Sequence, residues 1–182
     1  MPMLHNKRNG GLPLFNSELL VSAVENGQTA TIERLLDNGA STEGVNESGQ
    51  TPLSQASKRG DEALLRLLLD KGADTEAADI VGQVPLAHAC TRGQEAIVRI
   101  LLDKGAAINA TDNLGEAPLS YASRYGYEAV VRVLLDNGAA IEIVDQLCGK
   151  PLSYASERRH KAILRMLLGN GAQRPATRGW TR

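Results

Sequence analysis

The dipeptide Gly-Ala returns at a constant step of 33 residues, as Gly39-Ala40, Gly72-Ala73, Gly105-Ala106, Gly138-Ala139 and Gly171-Ala172. A Leu-Leu pair stands just ahead of each: Leu35-Leu36, Leu68-Leu69, Leu101-Leu102, Leu134-Leu135 and Leu167-Leu168. A second ladder, Pro52, Pro85, Pro118 and Pro151, keeps the same step, and a Leu follows every proline. A fixed period of this length marks an array of small supersecondary units, each of which buries its apolar face only against its neighbours. Aromatic residues make up only 3% of the 182 residues. That scarcity suits thin stacked layers of Leu, Ala and Val rather than a core built around large rings.

One unit can be read from its residues. Thr51 is placed to cap a helix that starts at Pro52, where a missing N–H costs nothing. Leu53, Ala56 and Ser57 recur at helical spacing, and Gly60 is a stop signal. A second helix is predicted over 61–70, with Leu64, Leu65, Leu68 and Leu69 facing inward and Glu62 and Arg66 outward. Gly72 ends it, and the polar stretch 74–81 reads as a loop or hairpin leading to the next unit. The pairs Glu62/Arg66, Glu95/Arg99 and Glu128/Arg132 all place the acid four residues before the base. That orientation favours a helix. In the first unit, Ser17 is the expected N-cap of a helix beginning near Glu18.

Thr51-Pro52-Leu53, Ala56-Ser57, Gly60 and Leu68-Leu69-Asp70-Lys71-Gly72-Ala73 resemble an ankyrin repeat. The in-phase pattern extends over 16–173 as five units, about 16–44, 45–77, 78–110, 111–143 and 144–173. A lead-in, 1–15, expected to be flexible, precedes it, and a basic tail, 174–182, follows. The resemblance implies an all-α solenoid of stacked helix–turn–helix units with short β-hairpin or loop fingers. It also implies a concave face that binds a protein or peptide partner, with no cofactor. This chain departs from the family pattern in places. The capping Thr survives only at Thr51; Glu18, Val84, Ala117 and Lys150 replace it. In the last unit Cys148 and Arg159 stand where earlier units have glycine.

Neither cysteine, Cys90 nor Cys148, suggests a disulfide framework, since they lie in different units. No apolar run reaches the length of a signal peptide or a membrane span. The expected location is therefore cytoplasmic or nuclear, not secreted. Residues 146–182 carry eight Lys/Arg against one acid, Glu157, while the rest of the chain is acidic. This asymmetry reads first as a solvated end cap with a disordered tail, with a docking surface for an acidic partner or weak head-to-tail self-association as the alternatives. A nucleic-acid partner is not expected, because the body is acidic and the basic end lacks interleaved aromatics apart from Trp180.

No catalytic or metal-ligating constellation emerges. His5, His88 and His160 are far apart, and His88 and Cys90 do not face one another on a helix. Asp79, Asp112 and Asp145 step by 33, and the ankyrin resemblance implies that they brace the finger turns. The informative positions are those that vary while the frame stays constant. Equivalent first-helix places hold Ser22, Gln55, His88, Tyr121 and Tyr154; further along run Arg59, Arg92, Tyr125 and Arg158, with Lys58 and Arg124 beside them. The candidate partner-binding set is Gln55, His88, Arg92, Tyr121, Arg124, Tyr125, Tyr154 and Arg158, in which Tyr and Arg are the types that dominate interface energetics. The alternative reading is an enzyme or small-molecule binder that reuses the groove, with His88 as general base and Tyr121 and Tyr154 orienting a substrate. The apolar residues Val81, Leu114 and Leu147 share a finger position, where they either brace neighbouring fingers or form an edge for a partner.

Overall fold

The computed structural model describes the backbone of residues 13–172 and the side chains from Asn16 onward. Most of the lead-in and the basic tail, with His5 and Trp180, fall outside the described residues. Among the described residues ten α-helices follow in order: α1 Pro13–Glu25, α2 Thr29–Asp37, α3 Pro52–Arg59, α4 Glu62–Asp70, α5 Pro85–Arg92, α6 Glu95–Asp103, α7 Pro118–Tyr125, α8 Glu128–Asp136, α9 Pro151–Glu157 and α10 Lys161–Gly169. They form five antiparallel pairs, or layers. The first helices stack in the order α1, α3, α5, α7, α9, and the second helices α4, α6, α8, α10 stack behind them. Among the described residues there is no β-strand, so the fingers are loops.

Helix starts follow the local chemistry. Pro52, Pro85, Pro118 and Pro151 occupy the first turn of α3, α5, α7 and α9. The Thr51 side chain accepts a hydrogen bond from the Ser54 N–H at 3.2 Å, whereas Val84, Ala117 and Lys150 make no capping bond. Asp61 caps α4 through the Leu64 N–H at 3.0 Å. In the first layer the helix starts at Pro13, not near Glu18, and Ser17 lies within it. Pro13 at the helix start is a stronger signal than the Ser that follows it.

The inter-helix turn explains the glycines. Gly60, Gly93 and Gly126 are left-handed, with φ of 77°, 69° and 84°. A side chain there would also collide with Gln94, Tyr127 and His160 of the next layer. Arg159 holds the same place after α9 with φ 61°, and Cys148 holds the finger place with φ 59°; they are the non-glycine residues of positive φ among those described. Both are exposed, so a side chain fits, but the backbone conformation is disfavoured for an L-residue by about 1 kcal/mol or more.

The core is a continuous column. Leu53, Leu86 and Leu119 from the first helices meet Leu65, Leu68, Ile97, Leu101, Val130, Leu134, Ile163 and Leu167 from the second, all buried. Leu64 and Leu69 are half-buried at its margin. Cys90 is fully buried beside the equivalent Ser57 and Ser123 positions, and burial pushes its thiol pKa up. The Glu62/Arg66 and Glu95/Arg99 pairs form on the outer surface at 3.6 and 2.8 Å. Such exposed pairs contribute only a few tenths of a kcal/mol.

Candidate functional site

The fingers and the first helices face one another, and in layers three to five one acid joins them. In the third layer, Asp79 Oδ1 accepts the N–H groups of Val81 and Gln83 at 3.0 and 2.9 Å. Asp112 does the same for Leu114 and Glu116, and Asp145 for Leu147 and Gly149. Each acid thereby satisfies two donors that a tight turn leaves unpaired. The second carboxylate oxygen reaches the first helix. Asp79 Oδ2 lies 3.1 Å from His88 Nε2. Asp112 and Asp145 accept the hydroxyl hydrogens of Tyr121 and Tyr154.

His88, Tyr121 and Tyr154 are therefore buried, at 3%, 4% and 8% exposure, with their polar tips directed at the fingers. A residue nine positions after the finger acid meets it in each of these layers, through a hydrogen bond from Tyr121 and Tyr154 and through a 3.1 Å contact from His88. For His88, burial depresses the imidazole pKa, with Lys58 and Arg92 adding to the effect and Asp79 opposing it, so the neutral ring is favoured. For Asp145, burial raises the pKa but is outweighed by hydrogen bonds from Tyr154, Gly149 and Leu147 and by the nearby Arg124 charge, leaving the carboxyl below its ordinary value. Burial and the Asp112 and Asp145 carboxylates raise the Tyr121 and Tyr154 phenols.

Arg124 is also committed. Its guanidinium donates to both carboxylate oxygens of the buried Glu116 and stacks 4.0 Å over the Tyr154 ring. It joins the fourth layer to the fifth. Arg59 donates to the main-chain carbonyls of Val24 and Glu25 in the first layer. Of the candidates, Arg92, Tyr125 and Arg158 remain exposed, with Tyr125 half exposed at 50%. Gln55 is buried at 4% exposure.

Among the clefts along this face, two adjoin across the middle layers. One, of about 580 Å³, is walled by Glu25, Asn46, Gln55, Arg59 and Tyr127. The other, of about 470 Å³, is walled by Ile80, Val81, His88, Tyr121 and Tyr125. Gln50, Lys58 and Arg92 line both, so the two form one groove across layers two to four.

The fingers are braced by bonds that the periodicity did not reveal. Ile80 N–H donates to Ser48 O, Asn113 N–H to Val81 O and Gln146 N–H to Leu114 O, at 3.2, 3.0 and 2.9 Å. The backbones make the contact, which leaves the Val81, Leu114 and Leu147 side chains exposed. A second ladder joins Glu43 to the Asp74 N–H, Glu76 to the Ala107 N–H and Asn109 to the Ala140 N–H. The only hint in the sequence is an acid or amide at one register position.

The family model for ankyrin repeats, in three copies, matches residues 3–79 and 76–146. The chain belongs to the ankyrin-repeat family. The α9–α10 pair lies beyond the matched residues, yet it continues the ankyrin stacking, with α9 on α7 and α10 on α8. No curated protein matches the chain significantly. Ankyrin repeats are in general protein-interaction modules. Among the described residues no helix is long and apolar enough to cross a membrane, and no group of three or more His, Cys, Asp or Glu is placed to hold a metal ion.

Proposed function

We propose that the chain is a non-enzymatic recognition module that seats a protein or peptide partner in the groove between fingers and first helices, through Arg92 and Tyr125, with Arg158 exposed on the layer beyond it. The observation that carries this reading is the placement of Tyr125. It is half exposed at the end of α7 and lines the same groove as Arg92. Its helix is locked to the fingers by the Tyr121–Asp112 bond. A surface held this way loses little ordering entropy on binding. His88, Tyr121, Arg124 and Tyr154 support the face from beneath, and Gln55 lies in its wall. The use of His88 as a general base finds no support in this geometry, because its Nε2 faces Asp79 and the ring is buried.

The test is affinity capture with the full chain, followed by titration of the captured partner. Tyr125→Ala together with Arg92→Ala is expected to weaken binding at least about tenfold, or roughly 1.4 kcal/mol, with the melting curve unchanged. Equal binding by the variant and the parent would refute the assignment.

A further inference from the structure

The second layer breaks the clamp rule. Its finger residue is Asn46, where later layers have Asp. Asn46 Oδ1 still accepts the Ser48 and Gln50 N–H groups at 3.0 and 2.9 Å. Its Nδ2, however, donates to Glu25 at 3.0 Å. Gln55, nine positions on, is left without its counterpart: neither its Oε1 nor its Nε2 has a hydrogen-bond partner, although the side chain is buried. A buried polar group left unpaired is costly and therefore calls for a partner.

Gln55 lies in the wall of the groove, beside cations that are also uncommitted. Lys58 stands one turn further along α3, and Arg92 enters from α5; both line the two clefts. Neither belongs to any of the ion pairs among the described residues, which involve Arg66, Lys71, Arg99, Lys104, Arg124 and Lys150. The acids in the groove wall are engaged, Glu25 by Asn46 and Asp79 by His88. Toward the finger, the groove ends on the exposed apolar side chains of Ile80 and Val81.

Resting on the protein-binding reading above, we propose that this groove takes an acidic, partly apolar segment of the partner in extended form. One carboxylate sits between Lys58 and Arg92, the Gln55 amide bonds a neighbouring peptide group, and an apolar side chain lies against Ile80 and Val81. An amide offers one donor face and one acceptor face, the complement of a peptide group. Lys and Arg supply charge-assisted bonds to the carboxylate. A nucleic acid fits the groove poorly, because among the described residues Tyr125 is the one exposed aromatic available for stacking.

The experiment titrates the isotopically labelled full chain with a short peptide alternating Glu and Leu, read by amide chemical shifts. A Lys/Leu peptide and single-stranded oligothymidine serve as the other arms. The expected result is shifts confined to α3, α5 and the 79–83 finger with the Glu/Leu peptide alone. Lys58→Gln with Arg92→Gln is expected to weaken that binding about tenfold or more. Gln55→Leu is expected to weaken it while leaving the melting temperature equal or higher, because the unpaired amide is gone. Absence of shifts at peptide concentrations of about 1 mM, equal binding of the Lys/Leu peptide, or stronger binding of the oligonucleotide overturns the proposal. If the Lys58/Arg92 pair leaves a captured partner bound while Tyr125→Ala alone releases it, the acidic-segment inference falls and the recognition function stands. If neither variant affects capture, both fall.

Discussion

Tyr154→Phe tests whether the aromatic row holds the fold together. The substitution removes one hydroxyl and keeps the ring, so the Arg124 stacking at 4.0 Å survives. What is lost is the bond from the Tyr154 hydroxyl to Asp145, inside a site where both residues are buried. A hydrogen bond to a charged group contributes about 1.5–3 kcal/mol, and the orphaned carboxylate oxygen adds a desolvation cost. For a domain of this size we expect a loss of about 2 kcal/mol, or roughly 4–8 °C in melting temperature. Because repeat arrays can melt in parts, the sharper assay is hydrogen exchange at the Leu147 and Gly149 amides, which Asp145 holds at 2.8 Å. Their protection should fall by about thirtyfold, the equivalent of that free energy. In an Asp145→Ala background the same Tyr154→Phe change should cost almost nothing further. A full-sized cost in that background, or a loss below about 0.5 kcal/mol in the parent, would refute the clamp and return Tyr154 to the binding surface.

Two further outcomes follow from the same geometry. Arg159→Gly should raise stability by about 1 kcal/mol, because φ 61° is disfavoured for arginine and open to glycine; urea titration checks it, and an unchanged midpoint would show that the strain is absorbed elsewhere. His88 has a folded pKa below its ordinary value of 6.5, chiefly through burial. Its contribution to stability is thus complete above the unfolded pKa and lost as pH falls from about 6.5 through the folded value. The melting temperature should drop between pH 7 and pH 5 by more in the parent than in His88→Tyr, which carries the phenol of the next two layers; parallel curves would count against a buried neutral histidine.

The frame was legible from the chain because punctuation acts locally. Pro at a helix start, Gly where φ is positive and Leu-Leu on the inner stripe act within a few residues, so their period reports the layers directly. The weak caps at Val84, Ala117 and Lys150 and the finger role of Asp79, Asp112 and Asp145 were visible for the same reason. The site was only partly legible. Equal register placed Gln55, His88, Tyr121 and Tyr154 in one row, but register does not say which way a side chain turns, and three of the four turn toward a carboxylate nine positions earlier.

Sequence alone determined the helical array, its step and the positions at which each helix starts and stops, since these depend on backbone sterics and capping between near neighbours. Tertiary structure decided which side chains are spent inside the stack and which are left over. Arg124 is consumed by Glu116 and Tyr154, whereas Lys58, Arg92 and Tyr125 are not, and the Gln55 amide is left unpaired while Asn46 turns to Glu25. Those outcomes depend on distances between layers, where partners far apart in the chain compete for the same hydrogen bonds, and no local pattern records who wins.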